Sequence, residues 1–363
     1  MSVCIDITGV PLERITFGPS PLAELGAALH VLSEPAHHAR LHAWVTTTDS
    51  RLEPELADRL SEADFLWRSS RSDILLPARP RATLAEELDD LDRMEDEKFV
   101  SAAMEEWTGS MHSDGAASPL VDAGMRERAL DLAAGRGPRQ AAFVQWMLAD
   151  PPAVRAWIRR LLEDCDVAFF ADTWAGVHVQ LAADARHKTE LLRRKGLAEA
   201  ITAVSPAMTV EEDEKGVSLV VDKFTHGRTS AAGSGLTFLP TAFGWPHLFA
   251  LHAPGWQPVV QYPVRTPELA TGAAPVETVR LRLEALAHPM RMRLCRSLAR
   301  GTYTTSELAD TYGVSAPEIS RHLAVMRTAG LLTAQRRGRH VLHQLDAAVV
   351  ARLGSDFLEG VLR

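Results

Sequence analysis

The 363-residue sequence predicts an α+β fold: a mainly helical N-terminal domain with a small antiparallel sheet, followed by a C-terminal domain of short helices and a basic hairpin. Three observations carry that expectation. Apolar residues recur at helical spacing as far as about residue 215. From about 216 to 263 the period changes to alternation, the mark of strands. Near the C-terminus two short helical patterns meet at Gly313, and a run rich in arginine follows them.

Taken in order, residues 2–8 set Val3, Ile5 and Ile7 against Ser2, Cys4 and Asp6, a strand pattern. Ser20 is placed to cap a helix that begins at Pro21, with Glu24 in its acidic first turn. Leu22, Leu25, Leu29 and Leu32 form its apolar stripe, and Pro35 ends it. Further helices are expected near 53–68, 83–107, 120–133, 138–149, 151–164 and 184–196. The acidic segment 85–97 suits a solvated helix or a linker, and 110–118 a loop. Strands are expected at 217–221, 236–239 and 258–262. These features divide the chain into an N-terminal α+β region, 1–265, a linker, 266–275, and a C-terminal domain, 276–363.

Composition narrows the class. Hydrophobic content of 46% and charged content of 24% are those of an ordinary water-soluble protein, and no apolar run is long enough to predict a membrane span. The first residues lack the basic and then apolar pattern of a secretory signal, and the three cysteines are far apart, so a cytoplasmic location is expected. Charge is uneven. Residues 276–363 carry 13 arginines against 8 acidic residues, whereas residues 1–275 carry 26 basic against 39 acidic ones. An acidic body with a basic end points to nucleic acid at that end alone.

In the C-terminal domain, Val279, Leu283 and Leu286 share one helical face, and His288-Pro289 breaks the pattern. Leu294, Cys295 and Leu298 face inward on the next helix. Residues 306–312 form a further helix, and Gly313 supplies the positive φ of a sharp turn. Ser315 is an N-cap candidate, with Pro317 in the first turn and Glu318 three residues after the cap. Ile319, Leu323 and Met326 then point inward, leaving Ser315, Ala316, Pro317, Glu318, Ser320, Arg321 and His322 at the outward N-terminal end. The hairpin that follows gathers Arg336, Arg337, Gly338, Arg339 and His340 at its tip. Two helices about a tight turn, then a positive β-wing, form an arrangement that reads duplex DNA: the helix enters the major groove and the wing lies on phosphate or in the minor groove.

The stretches Leu283-Glu-Ala-Leu-Ala-His-Pro-Met-Arg-Met-Arg-Leu294, Glu307-Leu-Ala, Ser320-Arg-His-Leu323, Ala329-Gly-Leu331 and Arg337-Gly-Arg339 resemble the ArsR family of bacterial winged-helix repressors over about 277–346. Ile15-Thr-Phe-Gly-Pro-Ser-Pro-Leu-Ala-Glu-Leu25 and Leu236-Thr-Phe-Leu-Pro-Thr-Ala-Phe243 resemble the long N-terminal extensions of some actinobacterial ArsR-like regulators. The resemblance implies a repressor that binds double-stranded DNA as a homodimer through paired terminal helices and releases it on a signal. The metal-sensing members' cysteine pair would fall near residues 306–310, where this chain has no cysteine. No metal and no cofactor are therefore expected. The stripe Val350, Leu353, Phe357 and Val361 on the last helix suits packing against a partner subunit or within the chain.

Elsewhere, His38 and His42 stand four apart, as on one helical face, but no nearby cysteine or carboxylate completes a metal set; surface or packing roles are expected. Trp174, Phe243, Trp245 and Trp256 suit either core packing or a pocket for a small apolar ligand. No nucleophile elbow, P-loop or zinc-protease motif is present, so a non-enzymatic chain is expected. Two other classes fit less well. One is an enzyme whose winged helix serves dimerisation; the other is a winged helix used for protein contacts.

Overall fold

The computed structural model describes residues 2–68, 71–108, 117–214, 216–222, 227–245, 247–251, 256–264, 274–337 and 340–362. They form two compact units, a larger one within residues 2–270 and a smaller one from 271 onward. Most of the expected linker lies outside the described residues. No helix among them is long and apolar enough to cross a membrane.

The larger unit opens with strands β1 (Ser2–Asp6) and β2 (Ile15–Phe17) and helix α1 (Pro21–Ser33). Ser20 caps α1 as its position predicts, its hydroxyl accepting from the Ala23 amide at 3.0 Å. The expected one-sided stripe is a correction: every residue from Pro21 to Val31 is buried, Glu24 and His30 included. A helix covered on all sides is a core element. A 3₁₀ segment, Pro35–Leu41, follows, and its backbone leaves helical geometry at His38 (φ −124°, ψ 49°). The chain from His38 to His42 is therefore not one continuous helix, and His38 is 1% exposed, which is the packing alternative of the two expected roles.

Helices α2 (His42–Asp49), α3 (Pro54–Ala63), α4 (Leu84–Asp92), α5 (Asp96–Thr108), α6 (Ala123–Arg136), α7 (Pro138–Ala149) and α8 (Pro151–Cys165) come next. The acidic segment 85–97 is thus mostly helical, divided between α4 and α5. A π-helical turn, Asp166–Phe170, leads into α9 (Ala171–Lys195), which starts well before the expected residue 184. Its first half leaves Val179 62% exposed, so no amphipathic stripe announces it. Trp67, Phe99, Phe143 and Phe170 fill the core among these helices.

Helix α10 (Leu197–Val204) precedes β3 (Met208–Asp213), β4 (Gly216–Asp222), β5 (Gly227–Ser230), β6 (Leu236–Thr241), β7 (Phe249–Leu251) and β8 (Val259–Pro263). Strands begin at 208 rather than 216. The α+β class holds, but in place of one antiparallel sheet there are two mixed ones, ordered β3-β4-β1-β5 and β2-β6-β8-β7. β1 pairs parallel to β5, and β2 and β8 pair parallel to β6. Parallel neighbours require crossovers: for β1 with β5 and β2 with β6 the helical region supplies them, and for β6 with β8 the connection that contains β7 does. All six residues of β6 are buried, and both α1 and α9 pack against it. A strand covered on both faces loses the polar alternation of a one-sided antiparallel sheet.

The smaller unit comprises α11 (Val276–Leu286), α12 (Pro289–Leu298), α13 (Thr305–Tyr312), α14 (Ala316–Thr328), β9 (Leu332–Arg337), β10 (His340–Leu345) and α15 (Ala347–Leu362). Leu294, Leu298, Leu308, Ile319, Leu323, Met326 and Leu331 make its core. Val279 is buried as expected, but Leu283 is 41% exposed; Ala285 takes the inward place.

Candidate nucleic-acid interface

Local rules define the two helices of the turn. Thr304 and Glu307 form a reciprocal capping box at α13: the Thr304 hydroxyl accepts from the Glu307 amide at 3.2 Å, and the Glu307 carboxylate accepts from the Thr304 amide at 2.7 Å. Gly313 ends the helix at φ +66°, as the sequence predicts, and Val314 N–H returns to the Ala309 carbonyl at 3.1 Å. The Tyr312 hydroxyl donates to the Arg293 carbonyl at 2.7 Å and lies 2.5 Å from the Ser297 hydroxyl, which ties α13 to α12.

Ser315 occupies the N-cap position of α14, but its hydroxyl makes no cap bond. That is a departure from the expected capping role, and Ser315 is left exposed beside Ala316 and Pro317. Ser320 and Arg321 are exposed, while Glu318 and His322 are half-buried. Ile319, Leu323 and Met326 are buried, so the expected division of faces stands.

Glu318, Arg321 and His322 line one side of a surface cavity of about 630 Å³. His288, Arg291 and Arg293, at and after the start of α12, also line it, although the sequence reading places none of the three at the nucleic-acid interface. The His288 and His322 rings lie 4.7 Å apart. His288 Nδ1 accepts from the Met290 amide at 3.1 Å, so its proton sits on Nε2. Burial, then the neighbouring His288 and Arg291, lower the pKa of His322. Arg291 is held in place by the Glu284 carbonyl at 3.0 Å. The His-Pro break followed by alternating arginines was the available sequence signal for this second wall.

The wing pairs β9 with β10 in register, Arg336 opposite Val341 and Arg337 opposite His340. Arg336 is exposed. Gly338 and Arg339 lie outside the described residues, as do the side chains of Arg337 and His340. Tyr303 and His343 exchange backbone hydrogen bonds of 3.0 and 2.8 Å, which anchor the wing to the chain before α13. Cys295 is half-buried against the core, and burial raises its thiol pKa.

The four aromatic residues considered for a ligand pocket fall in several packing groups. Phe243 packs with Ala27, Val31 and Val45, its ring 4.6 Å from that of Trp44. Trp174 stacks on Phe170 at 6.0 Å. Trp256 lies beneath the Lys98 ammonium at 4.4 Å. Trp245 is half-buried, and its carbonyl lies 2.7 Å from His38 Nδ1.

Comparison with known proteins matches two stretches of the chain. Residues 1–268 match the family of unknown function DUF5937, and residues 286–335 match a helix-turn-helix domain family. Among curated proteins, a biofilm growth-associated repressor of Agrobacterium fabrum is 33% identical over 75 residues, 21% of this chain and 64% of the relative. The chain thus spans less than two thirds of that relative's length. A probable mercury resistance operon repressor of Streptomyces lividans is 31% identical over 94 residues, 25% of this chain and 75% of the relative. A solved structure described as a possible transcriptional regulator for arsenical resistance is 38% identical, covering 21% of this chain and 79% of its own, with a TM-score of 0.20.

Proposed function

This chain belongs to the DUF5937 family and carries an ArsR-like winged helix-turn-helix behind that region; from this premise we propose that it is a DNA-binding transcriptional regulator, acting in the cytoplasm as a repressor. The observation that carries the reading is the exposed N-terminal half of α14. There Ser320 and Arg321 stand free of the core beside the arginines of α12, with Arg336 exposed on the wing. A helix end in the major groove reads base edges, and Arg321 suits guanine or phosphate. Arg336, Arg337, Gly338, Arg339 and His340 then belong over the backbone.

The finer reading is a homodimer on a near-palindromic operator. Its region 1–265 is regulatory and shifts the spacing of the two reading helices. The signal enters through that region and not through a metal at the helix-turn-helix, whose residues 306–310 hold no cysteine.

Selection of a binding site from random duplexes, followed by titration of variants, tests this. Arg321→Ala is expected to weaken binding about 5- to 100-fold and to relax the preference at one base position. Arg337→Ala is expected to weaken all duplexes alike and to lower the salt slope by about one. Unchanged affinity in both variants, or binding indifferent to salt, rules the reading out.

A further inference from the structure

Four histidines converge inside the larger unit, from three places in the chain. His30 lies in the last turn of α1, His37 and His38 in the 3₁₀ segment Pro35–Leu41, and His247 in the connection between β6 and β7. His30, His38 and His247 are 3%, 1% and 7% exposed, and His37 is half-buried. Ring centroids are 4.8 Å apart for His30–His247 and 5.1 Å for both His30–His38 and His38–His247. The His37 ring is 6.1 Å from those of His30 and His247.

The hydrogen bonds orient these rings. His30 Nδ1 lies 2.8 Å from the Trp67 carbonyl, and His38 Nδ1 lies 2.7 Å from the Trp245 carbonyl. A carbonyl only accepts, so both Nδ1 atoms carry the proton and both Nε2 atoms present lone pairs. His30 Nε2 faces His247 Nε2 at 3.1 Å, whereas His38 Nε2 and His37 Nδ1 are buried without a hydrogen-bond partner among the described residues. Buried ring nitrogens left unsatisfied are destabilising, so packing alone is a poor account of them. Burial, with Arg71 as a secondary cause, lowers His30 to about 3 and His38 to about 4.

We propose that His30, His37 and His247, with His38 as the fourth ring, bind one divalent transition-metal ion. His30, His37 and His247 each offer a ring nitrogen within 4.8 Å of the others. With metal–imidazole bonds of about 2.0 Å, a tetrahedral site places its nitrogens roughly 3.3 Å apart, close to the His30–His247 separation. Metal-bound histidines characteristically donate their other ring N–H to a carbonyl or carboxylate, as His30 and His38 do here. An all-imidazole donor set favours Zn²⁺, Co²⁺, Ni²⁺ or Cu²⁺ over Mg²⁺ and Ca²⁺. The site lies in the DUF5937 region and stands independently of the DNA-binding assignment. The sequence expectation of no metal rested on the absent cysteine pair near 306–310 and on the lack of ligands close to His38 and His42; the partners proposed here, His30 and His247, are 217 residues apart.

The test uses the tag-free full-length chain, stripped with a chelator and titrated with Co²⁺, then with Zn²⁺ in competition. One ion per chain is expected, with the strong visible absorption of four-coordinate Co²⁺ and a raised unfolding temperature. His30→Gln and His247→Gln should each weaken binding at least about 10-fold, whereas His178→Gln, on an exposed helix face, should not. X-ray absorption on the wild-type zinc complex covers the case in which a variant fails to fold, and should show imidazole scattering. Binding below one ion per chain, binding that survives both substitutions in folded protein, or a ligand shell of oxygen alone overturns the proposal.

Discussion

At the scale of single residues, buried carboxyl groups make the larger unit sensitive to pH. Glu87 of α4 accepts from the Leu22 amide at 2.7 Å, the Ser20 hydroxyl at 2.9 Å and the Arg81 amide at 2.9 Å. Burial outweighs these donors, with Asp90 adding slightly, and raises its pKa to about 7. The folded state therefore holds a proton that the unfolded chain releases near 4.5. The stabilisation is complete below that value and is lost as pH rises through 7. Glu24, also raised to about 7, acts in the same direction. Unfolding measured by denaturant from pH 4 to 8 should show wild type losing on the order of 3 kcal/mol more than Glu87→Gln across that window. Parallel curves would remove Glu87 as a source of the effect. None of this was legible in the sequence, where Glu87 is one acid in a run of them. Its burial depends on α1, more than 50 positions away, whose first turn it caps.

At the scale of elements, the helix-turn-helix was read well because its signals are local. The Gly313 turn and the inward spacing of Ile319, Leu323 and Met326 act within a few residues of one another. The capping box of Thr304 and Glu307 is equally local, although the sequence reading starts this helix at 306 and assigns it no cap. Helix α15 is only partly used by its own domain. Leu353 is buried and Asp356 is tied to Arg282 at 2.8 Å, while Phe357, Leu358 and Val361 are 40%, 50% and 48% exposed. An apolar helix face of this kind is the surface through which the proposed homodimer would pair. Phe357→Glu should shift the protein toward monomer in analytical ultracentrifugation and weaken operator binding, with its unfolding temperature nearly unchanged. A wild type that is monomeric at micromolar concentration would remove the dimer from the proposal.

For the whole molecule, the proposed division of labour has a direct test. Residues 274–363, which enclose their own core, should still bind the selected operator, with altered affinity and without any response belonging to region 1–265. Identical affinity and identical response in fragment and full chain would show that the larger region does not regulate binding. The sequence by itself determined the α+β class, the basic reader at one end and the residues that α14 exposes. Each of these depends on composition or on spacing within one or two turns of chain. Only the tertiary structure decided the parallel pairings of β1, β2 and β8, the complete burial of α1, and the meeting of His30, His37, His38 and His247. β1 with β5, β2 with β6 and His30 with His247 each join segments more than 200 residues apart, whereas β6 and β8 pair across the short stretch that holds β7; in every case periodicity along the chain carries no record of which other segment will become a neighbour.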